Sequence, residues 1–206
     1  MLSFMSISTD PLTISLAIFY SLVAFYYAVF IGRHQRKYGE CSAVHMGTKY
    51  SLHWWNHLTF RVFRILIWGV CVARLFLPSL DNALGLFTWS AQDIAWVGFA
   101  MLSVGFAMAI VTHHQMHDHW RSGIDDDYQG ELITTGLFAF SRNPAFIGVA
   151  MAQIGFFLAL PSVFSLICMC VGLTALRIQT YLEESHLTRQ FGNEYKLYCQ
   201  SVPRWL

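Results

Sequence analysis

The charged residues of this chain are spaced unevenly, and the gaps between them have the length of membrane-spanning helices. Residues 11–32 carry no charged side chain; about 20 apolar residues in a helix cross the hydrocarbon core of a bilayer, so this run is the first expected span. It is too long for the apolar part of a cleavable signal and no Lys or Arg precedes it, so it is expected to be retained. Residues 94–112 form a second run of the same kind. Residues 144–160 and 162–176 are shorter, parted only by Pro161, and read as a tight helical hairpin. Its second member extends through Tyr181 if Arg177 snorkels to the interface. Residues 62–78 make a fifth span if Arg64 and Arg74, near its two ends, reach headgroups. The pattern predicts an all-α fold: a polytopic transmembrane bundle of about five spans followed by cytosolic C-terminal helices. With no internal repeat and no Pro- or Ser-rich linker, residues 1–112 (N-terminal transmembrane helices) and 113–206 (hairpin and cytosolic segment) are expected to form one integrated domain.

Composition removes the alternatives. Of 206 residues, 55% are hydrophobic and only 12% charged, against about 25% charged in an average soluble domain. The mean hydropathy is +0.45. A free water-soluble globule and a disordered chain are both excluded on these values. The net charge of +1 gives no polyelectrolyte signal for nucleic acid. The distribution of that charge is more informative. Arg33, Arg36, Lys37, Lys49 and Arg61 fall in one connection, Arg121 and Arg142 in another, and Arg177, Arg189, Lys196 and Arg204 in the tail, whereas residues 1–11 and 79–93 carry no Lys or Arg. Five spans put every basic connection on one side, so the N-terminus is expected outside and the C-terminus in the cytosol. The five cysteines, Cys41, Cys71, Cys168, Cys170 and Cys199, are odd in number and irregularly spaced, and three lie in apolar runs. They read as small hydrophobes and not as a disulfide framework.

Polar chemistry collects in two stretches, residues 113–144 and 177–206, which flank the hairpin and must meet at its cytosolic mouth. In Ser141–Arg142–Asn143–Pro144, Asn143 suits a helix N-cap and Pro144 the first helical position. Arg142 is then either a headgroup anchor or, with the free amides of that helix start, an anion holder. Gly136 suits a tight turn and Gly148 close helix packing. Glu183 and Glu184 stand where the last span leaves the membrane, with Arg177, His186 and Arg189 as candidate partners. Gly192 suits a helix end, and residues 194–200 a short helix with Tyr195 and Tyr198 on one face. A rival reading comes from His113, His114, His117, His119 and Asp118, together with the pair His53 and His57: imidazoles in such clusters bind zinc or iron in membrane oxygenases and reductases. One dense cluster and one pair fall short of the regular boxes a di-iron site needs, and no metal ligand set is assigned.

The order HWRSGID, then ELITTGLFAFSRNPAFIG, then LEESHLTRQFGNEYKLYCQSVPRWL resembles the isoprenylcysteine carboxyl methyltransferase family. The likeness runs from Gln115 to the end and is closest to small prokaryotic members. Phospholipid methyltransferases, thiol methyltransferases and sterol or steroid reductases are more distant relatives. The resemblance implies S-adenosyl-L-methionine held by the cytosolic C-terminal helices, and a lipophilic acceptor reached from the membrane. It carries cofactor contacts onto Gln115, Trp120, Arg121 and Gly123 before the hairpin, and onto Leu137, Ser141, Arg142, Asn143 and Pro144 at its start. Glu183 and Glu184, then Tyr195 and Tyr198, complete the set, with Arg142 and Glu184 as the catalytic candidates and Tyr195 and Tyr198 covering the site. Asn143 stands where the family commonly has His; an amide hydrogen-bonds but does not titrate near neutral pH, which suits positioning and not proton transfer. The histidines from His113 to His119 are less typical of the family. The expected function is therefore methyl transfer to a carboxylate such as that of isoprenylcysteine, to a thiol or to a lipid amine. The alternatives are a metal-dependent oxygenase or reductase, and a non-catalytic membrane scaffold. Expected partners are membrane lipids and a membrane-dissolved substrate.

Overall fold

A computed structural model describes residues 8–38, 44–87, 92–116, 120, 123–124 and 131–206. Among these residues there are seven α-helices: α1 (Pro11–Tyr38), α2 (Leu52–Phe76), α3 (Leu80–Leu84), α4 (Gln92–Gln115), α5 (Pro144–Ala159), α6 (Val163–Phe191) and α7 (Asn193–Ser201), with a 3-10 turn at Gly136–Ala139. The all-helical expectation holds. His117, Asp118, His119 and Arg121, which the sequence reading singled out, lie outside the described residues.

Local chemistry sets the helix starts. Asp10 accepts hydrogen bonds from the amide and hydroxyl of Thr13 (2.9 and 2.6 Å) at the head of α1, whose first residue is Pro11. Ser51 accepts from the Trp54 amide at the head of α2. At the head of α6, Ser162 and Ser165 form a reciprocal capping box, both fully buried. This cap turns the chain between α5 and α6, so the expected hairpin connection is present. Just beside it, backbone bonds from Phe87 N to Pro161 O (2.8 Å) and from Val163 N to Gly85 O (3.0 Å) tie the segment after α3 to the same turn.

Three helices, Pro11–Lys37, Gln92–Gln115 and Val163–Phe191, are long and apolar enough to cross a membrane, while Pro144–Ala159 is apolar but shorter. The fifth expected span lies within α2, which begins well before Val62, at Leu52. Arg74 does not reach out as expected. It is 8% exposed and its guanidinium forks onto the Asp81 carboxylate at 2.5 and 3.1 Å. A paired arginine can stay inside because the carboxylate replaces the water it gives up. Arg64 is exposed, with its guanidinium 6.0 Å from the Phe60 ring centre.

The closest helix pairing joins α4 to α5 and not the two arms of the hairpin. Gly98 and Gly105 of α4 meet Gly148 and Gly155 of α5 along one line. A methyl group at Gly148 would stand 2.6 Å from the Gly105 carbonyl oxygen, a separation that real contacts do not tolerate. The absence of side chains lets the two backbones touch, which is how apolar helices gain dispersion energy where no hydrophobic drive exists between them. Around this seam Leu16, Cys71, Leu102, Ala152, Phe156, Ala159 and Leu160 form the buried core. Phe19 and Tyr20 of α1 pack edge-to-face on Phe99, Phe106 and Phe156. A second cluster, Tyr195, Tyr198 and Val202 with Leu132, Leu187 and Phe191, forms at the far end of α6. Substituting Gly148 by Leu is expected to part α4 from α5 and cost more than the 1–3 kcal/mol typical of overpacking; thermal unfolding in detergent should show a midpoint lowered by several degrees, and an unchanged midpoint would refute the seam.

Candidate active site

The sequence places a charge, an amide and a helix start together in SRNP, and the fold brings α6 and the C-terminus onto them. α6 runs without a break from the turn at Ser162 to Phe191, carrying Glu183 and Glu184 past the head of α5. Gly192, with φ +53, then reverses the chain into α7, and the tail returns to Ser141–Asn143. Backbone bonds record that return. The Arg142 amide donates to the Pro203 carbonyl at 3.0 Å, and the Ser141 hydroxyl to the Arg204 carbonyl at 3.2 Å.

Glu184, 8% exposed, is the hub. Its carboxylate accepts from Arg204 Nε (3.0 and 3.2 Å) and from Arg204 Nη2 (2.7 Å). It also accepts from Asn143 Nδ2 at 3.1 Å, and Arg142 Nη2 stands 3.6 Å away. The partners foreseen for the acidic pair were Arg177, His186 and Arg189; the pairing Glu184 makes is with Arg204 and Arg142. Asn143 occupies the N-cap position of α5 but its side chain does not cap. Its Nδ2 donates to Glu184 and, at 3.2 Å, to the Arg204 carbonyl, and these two bonds orient the amide away from the helix-start N–H groups that its oxygen would cap. Bonding to Glu184 pushes the Arg204 guanidinium pKa above its ordinary value.

Next to this hub is a cavity of about 220 Å³. Its wall includes Trp120, Gly123, Arg142, Asn143, Pro144, Glu183 and Tyr198 among the foreseen residues. Glu184, Ser141, Tyr195, Gln115 and Leu137 are not part of that wall. They support it: Ser141 accepts from the Asn143 amide at 3.1 Å, and Gln115 Oε1 accepts from the Leu137 amide at 3.0 Å beneath the turn at Gly136, whose φ is +64. Tyr195 is buried against Tyr198, ring centres 6.0 Å apart. Residues that the sequence reading did not assign to the site also line the cavity, among them His113, Met116, Phe138, His186 and Gln190.

Glu183 is held from an unexpected direction. Its Oε1 accepts from Gln179 Nε2 at 2.9 Å, and Gln179 Oε1 accepts from Asn56 Nδ2 of α2 at 3.0 Å. The Asn56 bond fixes which end of the Gln179 amide faces Glu183. Trp120, 4% exposed, is wedged edge-on between Phe30 (4.8 Å) and His34 (5.9 Å) of α1, and lies 5.5 Å from His113 of α4. His113 and His114 meet Tyr27 and Tyr26 of α1 at 3.2 and 3.0 Å. Among the described residues no group of three His, Cys, Asp or Glu side chains is placed to hold a metal ion.

Burial pushes the Tyr198 phenol up to about 12, so it stays a neutral donor through the physiological range and holds the Phe138 carbonyl at 2.6 Å. Tyr195 is pushed up further by burial and by the nearby Glu184 charge. Tyr198→Phe should lower stability by about 1 kcal/mol, read as a lowered thermal midpoint with unchanged helix content; an unaltered midpoint would show that the turn carrying Phe138 needs no such tie.

No curated protein and no solved structure matches the chain. A family model described as phospholipid methyltransferase matches residues 94–194, which takes in α4, the SRNP segment, α5, α6 and the first residues of α7 but stops short of Tyr195, Tyr198 and Arg204. The match agrees with the resemblance read in the sequence at the level of the family, without selecting its carboxyl methyltransferase branch. Over residues 94–194, just under half of its length, the chain is similar to the phospholipid methyltransferase family.

Proposed function

We propose that this protein is a membrane methyltransferase that uses S-adenosyl-L-methionine and delivers the methyl group to a lipophilic acceptor. The observation that carries the reading is the cavity where α4 ends, α5 begins and α6 passes, with a cation, carboxylates and aromatic faces on one wall. The residues suit such a cofactor. Arg142 faces the cavity with its Nε buried and, among the described residues, without a hydrogen-bond partner. The first residues of α5, Pro144, Ala145 and Phe146, also line it, and a helix N-terminus favours a carboxylate. Trp120, Phe138 and Tyr198 supply aromatic faces, which attract a sulfonium as they do an ammonium. Glu131 and Glu183 offer acceptors to an amino group.

The cofactor, when bound, supplies an electrophilic methyl on sulphur. In this reading Arg142 and the α5 head bind the carboxylate end, Asn143 positions Arg142's neighbourhood by tying Glu184 to the tail, and the aromatic wall excludes water. Asn143 takes no proton. An acceptor that is already ionised, such as a carboxylate, needs no base, whereas an amine must lose a proton to a group such as Glu183.

The finer topology belongs to the same reading. α2 and α5 complete five spans, giving an outside N-terminus and a cytosolic C-terminus. α5 has 16 residues, about 24 Å, and its seam with α4 lets a short helix cross. Arg74 is neutralised by Asp81, which lowers the cost of carrying α2 through the bilayer.

The test is transfer of tritiated methyl from labelled cofactor into membrane extracts by the purified protein, followed by identification of the labelled bond. A labelled lipophilic ester, thioether or amine is expected. No transfer, with no heat of binding at millimolar S-adenosyl-L-methionine, would overturn the proposal. Arg142→Ala should weaken cofactor binding at least about tenfold, the loss of one charge-assisted hydrogen bond, with helix content unchanged; wild-type affinity would remove Arg142 from the site.

A further inference from the structure

The hub contains one carboxylate and two guanidinium groups, and its two arginines are used very differently. Arg204 grips both oxygens of Glu184 at 2.7–3.2 Å from the solvent edge, its side chain 52% exposed. Arg142 is enclosed, its side chain 13% exposed, yet its nearest approach to Glu184 is a loose 3.6 Å. Its Nη1 donates to Cys199 Sγ, its Nε has no hydrogen-bond partner among the described residues, and its side chain lines the cavity. An enclosed guanidinium beside an enclosed carboxylate would ordinarily close on it with a bidentate pair. Here that place is taken. The tail is held for the purpose: Pro203 and Arg204 carbonyls accept from the Arg142 amide, the Ser141 hydroxyl and the Asn143 amide group.

We infer that Arg204 is a positioning residue that saturates Glu184 and so keeps the Arg142 guanidinium in the cavity, where it binds an anionic group. The inference rests on the proposed reading that this group is the carboxylate of S-adenosyl-L-methionine. Charge accounting supports it. Within the hub Glu184 cancels one of the two cations, and since Arg204 satisfies both its oxygens, the Arg142 charge is left facing the cavity, on whose wall Glu131 and Glu183 are the carboxylates. Without Arg204, Glu184 would be a largely buried carboxylate lacking its main partner, and Arg142 is the cation near enough to move onto it. The cavity would then lose its anion-binding charge although every residue of its wall is intact.

The test is calorimetric binding of S-adenosyl-L-methionine to the full-length protein in detergent, with three variants. Arg204→Ala should weaken binding about tenfold. Arg204→Lys, which keeps the charge but loses the fork that covers both oxygens, should fall between the wild type and Arg204→Ala. In the double variant Arg204→Ala/Glu184→Gln the competing carboxylate is gone, so affinity should return to within about twofold of the wild type. That recovery separates positioning from a structural role, for which the second substitution would only add damage. The double variant also leaves no unpaired buried carboxylate, so it folds where the single variant fails. A cofactor-free measurement runs alongside: Arg142→Ala should lower the thermal midpoint more in the Arg204→Ala background than in the wild type, because only there has Arg142 closed on Glu184. Undiminished binding by Arg204→Ala, or a double variant no better than the single one, overturns the assignment. Failure of the wild type to bind, with the midpoint coupling present, would instead refute the cofactor reading and uphold the exchange of partners at Glu184.

Discussion

A single carboxylate, Glu184, sets the architecture where α6, the head of α5 and the tail meet. Glu184 sits in a helix that emerges from an apolar bundle, 8% exposed, where a charge must be matched or neutralised. The partners come from segments far apart in the chain: Arg142 and Asn143 before α5, and Arg204 almost at the C-terminus. Meeting that one requirement forces the tail back across the head of α5. In doing so it buries Tyr195, Tyr198 and Val202 against Leu187 and Phe191 and so closes the side of the cavity. The electrostatic need and the hydrophobic cluster therefore stabilise the same turn at Gly192.

The cavity's opposite side depends on a different constraint, the α4–α5 seam. Glycines at facing positions bring the two backbones into contact, which fixes where the end of α4 stands relative to the start of α5. His113 and Met116 thereby line the same cavity as Arg142, Asn143 and Pro144. The connection between these helices supplies Gly123, Ile124, Glu131, Leu132 and Ile133 to the wall, and Ile124 is steadied by a long bond from its amide to His53 of α2 (3.4 Å).

Much of this was legible in the sequence because it follows from near-neighbour patterns. Uncharged runs marked the helices, Pro144 and Gly192 marked a start and an end, and Gly148 marked a packing surface. Partners across long sequence distances were not legible. Arg204 and Glu184 lie on different elements, and nothing in local spacing distinguishes Arg204 from Arg177 or Arg189 as the residue that closes on the carboxylate. Arg74 was expected to reach for headgroups because its partner, Asp81, follows a proline turn whose direction composition does not reveal. Asn56 was passed over between two conspicuous histidines, although an amide inside an apolar helix is itself a signal of a buried polar contact, here the link through Gln179 to Glu183.

The departure of Asn143 from the histidine common in the resembled family has a physical reason in this fold. Its Nδ2 carries two hydrogens, and the structure uses both, one on the Glu184 carboxylate and one on the Arg204 carbonyl. A neutral imidazole presents one N–H in all, and its second nitrogen is an acceptor. It could hold the carboxylate or the tail but not both from one point, and holding both would require protonation. That would add a third cation beside Arg142 and Arg204 where a single carboxylate is already satisfied. An amide joins the two acceptors without changing the charge of the hub, so the balance that leaves Arg142 facing the cavity is independent of pH at position 143. In this chain the residue before Pro144 is part of the device that fixes the returning tail.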